Sequence, residues 1–223
     1  MNRISTETGK IPSEKASNHK KSIETFEKKR LKIIKKAMRL FIKKGYAQSS
    51  MREISQVTGI DSSYLYKFIK NKEEILYLAF EQVHSPAMNI FDKLKIEEIE
   101  DPEKQLRSVI RELMRSNYDF KAEIALLYRE SKHLPKKYLK IICDRESQLI
   151  HRIEQILITL NERRKLNIQN FSYVANMIVY QASFYPLRSW NFRNCSEGEL
   201  ADLTEDYIMN AIMSCPDEQQ KMS

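Results

Sequence analysis

The sequence predicts an all-α protein of about nine helices, a small basic module followed by a larger body. Three observations carry that prediction. Glycine is confined to Gly9, Gly45, Gly59 and Gly198, prolines number six, and the long stretches between them are rich in Lys, Glu, Leu, Ile and Ala, which favour helices. A length of 223 residues fits one or two domains. Charge is unevenly spread: residues 1–72 hold 18 Lys/Arg against 6 Asp/Glu, whereas residues 73–223 hold 20 against 24. A positive excess of twelve at one end implies that this end meets a polyanion and that the body has another task.

Residues 1–22 are polar and basic, with too few apolar side chains to offset the entropy of ordering, and are expected to be a disordered extension. A helical pattern begins at Ile23 or Glu24. Ile33, Ala37 and Leu40 fall on one stripe with Ile34, Met38 and Phe41 beside it, and Gly45 stops the helix as a left-handed cap. The Lys/Arg run from Lys28 to Lys44 reads equally well as a solvated face or as a contact with nucleic acid.

The next stretch, AQSSMREISQVTGIDSSYLYKFIKNKEE, carries the most information. Ser49 or Ser50 can cap a short helix, with Glu53 as capping-box partner of Ser50 and with Ile54 and Val57 as its apolar face. Gly59 ends that helix. Asp61 or Ser62 then caps a second short helix whose inward residues are Leu65 and Phe68. Two short helices around a glycine turn form a helix-turn-helix, in which the second helix fits the major groove of double-stranded DNA. On that geometry Ser62, Ser63, Tyr64 and Lys67 project toward base edges. Arg52 is placed for a bidentate contact with guanine, and Tyr66 and Lys72 for phosphates. The expected head is therefore residues 23–70.

From Arg30 to about Leu76 the chain resembles the DNA-binding domain of the TetR family: R-x-x-I-I-x-x-A-x-x-L-F-x-x-x-G-Y, S-S-M-R-E-I-S, T-G-I-D-S-S-Y-L-Y-K-F and K-N-K-E-E-I-L. Ser55 stands where the family usually has alanine, and Ile69 replaces a common aromatic. The resemblance implies a three-helix DNA-binding domain, a helical ligand-binding and dimerisation domain over residues 71–215, and release from an operator when a small molecule binds. By position, Ser50, Met51 and Arg52 match the family's DNA-contacting start of the second helix. Ser62, Ser63, Tyr64, Tyr66 and Lys67 match the recognition helix, and Lys72 matches the phosphate-binding lysine that opens the fourth helix.

In the body the pattern continues through Phe80 and Val83 to Phe91, with Pro86 expected to kink or end the helix. Asp101-Pro102 opens a helix through Leu106, Val109, Ile110 and Leu113, and a shorter one holds AEIALLYRE. Pro135 starts a long helix through Ile141 to Leu160. Further helices are expected from about Phe171 to Trp190 and from Ser196 to Met213, with a tail at 216–223. The resemblance implies a homodimer through residues 140–161 and 170–190, and two-fold symmetry implies a palindromic operator.

Met114, Tyr118, Leu127, Tyr128, Tyr173, Met177, Tyr180, Phe184 and Trp190 are candidates to line an effector cavity, although each alone is more often plain core. Tyr128-Arg129-Glu130-Ser131 with Leu134-Pro135, and Arg188-Ser189-Trp190, are similar to the lipid-catabolism regulators of the family. That similarity implies an acyl-CoA effector with basic residues at the cavity mouth; a hydrophobic-compound sensor of the efflux type is the alternative.

No cofactor is expected. Cys143, Cys195 and Cys215 lack metal or redox spacing, and His19, His84, His133 and His151 are scattered without a triad or metal motif, so neither an enzyme nor a metal site is expected. No apolar run approaches a membrane span, which places the protein in the cytoplasm by expectation, with no membrane partner. Sequence-independent architectural DNA binding is the rival from another class, and it predicts affinity indifferent to sequence.

Overall fold

In the computed structural model, which describes residues 12–214, α1 runs from Pro12 to Lys44. It begins well before Ile23, so the disorder expected over 1–22 does not hold for residues 12–22; residues 1–11 lie outside the described residues. The physical reason is that propagating an existing helix costs little per residue once its nucleus is packed elsewhere. That nucleus is Ile33, Ile34, Ala37, Met38 and Phe41, all buried.

α2 (Met51–Thr58) is capped by Ser50 in a capping box with Glu53 and ends at Gly59, whose φ of 70° is a left-handed conformation suited to glycine. α2 buries Ile54, but Val57 is 43% exposed. The expectation that both form its apolar face is corrected: Ile54 alone is buried in α2. α3 (Ser62–Leu65) is a single turn capped by Asp61, shorter than the sequence suggested, and continues as turns that bury Phe68 and Ile69. These elements form one compact unit, residues 1–75.

The boundary to the second unit, residues 76–223, falls within α4 (Lys72–Met88). Pro86 lies inside α4 without ending it, and the helix stops two residues later. α5 (Ile90–Leu94) follows, closed by Lys95 in a left-handed conformation. α6 (Pro102–Asp119) opens with Asp101 as cap and Pro102 at its first turn. Then come α7 (Lys121–Glu130), α8 (Lys136–Arg164), α9 (Phe171–Ala182), α10 (Phe184–Arg188) and α11 (Glu197–Met213). The eleven α-helices among the described residues, against the nine helices expected, result from two breaks: α5 separates from α4, and α10 from α9.

The second break has a visible cause. Pro186 lacks the N–H that would bond the Ala182 carbonyl, and the Asn117 side chain on α6 donates to that carbonyl instead, at 2.9 Å. The body core is a continuous cluster from α6, α8, α9 and α11, including Leu106, Ile110, Ile153, Leu160, Ile178 and Met209. Glu205, buried at its margin, is held by Arg107 at 2.7 Å and by Arg111. The tail at 216–223 lies outside the described residues.

Candidate DNA-reading face and effector cavity

In the head, local capping fixes each functional side chain. Ser50 Oγ accepts from the Glu53 N–H at 3.3 Å, and Glu53 accepts the Ser50 N–H at 2.9 Å, so the first turn of α2 is rigid where Met51 and Arg52 leave it. Arg52 is exposed and Met51 half-buried. Lys44 pairs with Glu53, and its ammonium, with the Ser50 bonds, holds the Glu53 carboxyl below its ordinary range. Asp61 accepts the Ser63 N–H at 2.8 Å and the Ser63 hydroxyl at 2.6 Å, which lowers the Asp61 pKa. Ser63 is exposed, with its hydroxyl proton directed to Asp61, so its oxygen is left to accept.

Tyr64, Tyr66, Ser62 and Lys67 are exposed together on the single turn of α3 and its continuation. Phe68 meets the Tyr64 ring edge-on at 5.2 Å, and the Lys67 ammonium sits 5.2 Å above it. A face of one arginine, two phenols, hydroxyls and a lysine can donate to phosphates and base edges alike. Lys72 is more constrained than the sequence implied: half-buried, it donates to the Tyr46 carbonyl at 3.0 Å and lies 4.6 Å over the Tyr46 ring. It therefore pins the α1–α2 turn to the start of α4, and any phosphate contact uses its remaining protons.

Sequence reasoning missed Arg30 and Glu74. Arg30 donates to the Phe68 carbonyl at 3.2 Å and to Glu74 at 2.8 Å, and Glu74 accepts the Lys70 N–H at 2.6 Å, which joins α1, the end of the reading turn and α4. Only the separation of Arg30 from Glu74 hid this clamp, because nothing local marks a pair 44 residues apart.

In the body a partly open cavity of about 50 Å³ is lined by α4, α6, α7, α8 and α9. Of the nine candidates, Leu127 and Tyr128 line it. Met114 is buried core, and Tyr118 stacks on Tyr185 at 5.1 Å. The other five do not enter it. Tyr173 and Met177 line a separate groove of about 400 Å³ between α9 and α11, and Phe184 lines its continuation. Tyr180 and Trp190 are about half exposed, with Arg188 5.4 Å over the Trp190 ring. Their apolar character belongs to an outer face, which helical spacing alone does not separate from an inner one.

The cavity's polar groups are His84, Asn117, Tyr128, Glu146 and Ser183. Asn117 also donates to Ser183 Oγ at 3.3 Å, and Ser183 donates to the Val179 carbonyl at 3.2 Å. Burial raises the Tyr128 pKa against an opposing hydrogen bond from Ser183. Burial lowers the His84 pKa, with Glu146 and Glu81 opposing, so the imidazole is held toward its neutral form. No Lys or Arg is among the residues that line the cavity. Sequence reasoning missed His84, whose signal is that it shares one face of α4 with Phe80 and Ala87, and missed Glu146 and Ser183, which carry no local mark.

On the outside, α9, α10 and α11 expose Tyr173, Tyr180, Phe184, Leu203 and Tyr207, the last 66% exposed. The outer face of α8 is mostly polar, with Asp144, Gln148, His151, Gln155 and Glu162. Within the expected interface the exposed aromatic residues lie in 170–190, and α11 adds Leu203 and Tyr207 beside them. Among the described residues no His, Cys, Asp and Glu group could hold a metal ion, and no helix is long and apolar enough to cross a membrane.

A capped helix-turn-helix head joined to a helical body with an internal cavity defines a DNA-binding regulator of transcription. Residues 33–77 match the family described as bacterial regulatory proteins, tetR family, and residues 100–183 match the tetracyclin repressor-like C-terminal domain. Between them these matches take in more than half of the chain, and the chain belongs to the TetR family. It is 27% identical over 158 residues to the uncharacterized HTH-type transcriptional regulator YerO of Bacillus subtilis (strain 168). That match covers 68% of this chain and only 54%, about half, of YerO. Among solved structures, a tetR-family bacterial regulatory protein from Rhodococcus RHA1 has a TM-score of 0.77 at 17% identity, covering 85% of this chain and 99% of that one. AibR in complex with isovaleryl coenzyme A and operator DNA has a TM-score of 0.66 at 18% identity, covering 80% and 97%. PfmR from Thermus thermophilus has 0.68 at 17%, covering 83% and 99%. At these identities the structures speak for the fold alone.

Proposed function

We propose that this regulator is a repressor that binds a palindromic operator as a homodimer and leaves it when a small apolar effector enters the cavity among α4 and α6–α9. The observation that carries the reading is the exposed set Arg52, Tyr64, Tyr66 and Lys67 on a helix-turn-helix whose helix starts are fixed by Ser50 and Asp61. Ser50, Met51, Ser62, Ser63 and Lys72 complete the contact surface. Dimerisation through α9 and α11 is supported by their exposed aromatic face, and two-fold symmetry sets recognition helices about 34–36 Å apart, one turn of DNA.

For the effector, AibR's complex with isovaleryl coenzyme A favours an acyl-CoA thioester. The lining here, mainly apolar with one carboxylate, one imidazole and no Lys or Arg, favours the alternative of a hydrophobic compound. Selection of the purified protein against random duplex DNA at near-physiological salt tests the reading. A recovered palindrome, released by an apolar compound, is the expected outcome. A pool without a motif, bound equally and with a steep salt dependence, would establish sequence-independent coating instead.

A further inference from the structure

The cavity contains a charge that the protein itself does not neutralise. Glu146, half-buried on α8, lines a mainly apolar space, and no Lys or Arg forms an ion pair with it among the described residues. The neighbouring acid Glu81 is paired with Arg145, so that guanidinium is committed elsewhere. His84, across the cavity, makes no ion pair with Glu146 and is held toward neutrality by burial. A carboxylate beside apolar walls is costly unless a partner compensates it. Two aromatic rings, Phe80 and Tyr128, also line the space, and their faces attract cations.

We infer that the cavity selects an amphipathic cation, an apolar molecule bearing a protonated amine, with Glu146 as counter-charge and Phe80 and Tyr128 as aromatic walls. This rests on the reading of the cavity as the effector site. A free fatty acid is disfavoured by the same carboxylate, and a coenzyme A moiety by the lack of basic partners. The cavity's volume of about 50 Å³ is below the ~150 Å³ that accommodates benzene, so binding displaces side chains and is felt by the helices that carry them.

The test is calorimetry on the full-length protein at neutral pH with two probes of matched shape and opposite charge, 4-phenylbutylamine and 4-phenylbutyrate. The amine is expected to bind at least about tenfold more tightly than the acid. Glu146→Gln should weaken the amine by about tenfold or more, and Glu162→Gln, on the exposed face of the same helix, should leave it unchanged. Should Glu146→Gln fail to fold, Tyr128→Leu against Tyr128→Phe provides the second comparison, with only the former weakening the amine. Equal affinity for the two probes, tighter binding of octanoyl-CoA than of the amine, or amine binding indifferent to Glu146→Gln and Tyr128→Leu would overturn the inference while leaving operator recognition intact. Glu146-dependent amine binding that fails to release the selected operator would uphold the ligand class and instead sink the assignment of the cavity as the effector site.

Discussion

The head and the body solve opposite problems. The head sets two helices of eight residues or fewer against the long α1, and relies on caps, a glycine turn and the Arg30–Glu74 clamp to hold an exposed polar face. The body is built from long amphipathic helices around a continuous apolar core, and its functional surface is turned inward. A reading face on a small rigid module is specified by neighbours in sequence. A cavity contributed by five helices is specified by residues up to about a hundred positions apart, so its chemistry emerges only when the helices pack.

The sharpest break in this contrast is expected outside both sites. Leu203→Glu on α11 places a charge on the apolar outer face and should convert the dimer to monomer in sedimentation, with operator affinity falling roughly 10²–10⁴-fold through lost bivalency; an unchanged dimer would move the interface off α11. Next, Ile54→Ala, in the head's small core, should cost about 2–5 kcal/mol. Hydrogen exchange should show the loss in residues 12–75 first, whereas uniform loss across the body would mean that the two units unfold as one.

Arg52→Ala should then weaken specific operator binding by about 1–3 kcal/mol and relax one position of the site. Lys72→Ala should instead weaken binding evenly across sequences and also lower the melting temperature, because Lys72 secures the Tyr46 carbonyl. Equal sequence preference in both variants would refute the division of labour. The smallest effect separates the two regions by acid. In the body Glu112, between Arg115 and Lys93, has its pKa lowered from 4.5 to about 2. Its contribution, about 1–2 kcal/mol after screening, is present above the unfolded value and is lost as pH falls through the folded one. Glu112→Gln should flatten acid unfolding of the body between those values, as followed by circular dichroism.

Much of the head was legible because its determinants are local: Ser50 and Glu53 sit three apart, Gly45 and Gly59 end helices, and Leu65 and Phe68 are spaced to face inward. Where the reading failed, a longer-range fact decided the outcome. Val57 is left exposed where Ile54 is buried, and α1 extends to Pro12 because its packed part already nucleates it. In the body, helix positions were readable from periodicity, and the fold class with them. Inner and outer faces of α9 were not, since Tyr173 and Met177 look outward while Val179 looks into the cavity. Both kinds of residue are apolar, and only the neighbouring helices distinguish them.

The break between α9 and α10 is stitched from outside: the Ala182 carbonyl that Pro186 leaves open is closed by Asn117 of α6, which also lines the cavity. The same stretch carries Ser183 inward and Tyr180 and Phe184 outward. The wall between the cavity and the exposed apolar face is therefore a single helix thick, and one of its joints is a side-chain amide that also lines the cavity. A ligand drawing Asn117 away would unfasten the joint and loosen the outer face without travelling through the rest of the protein.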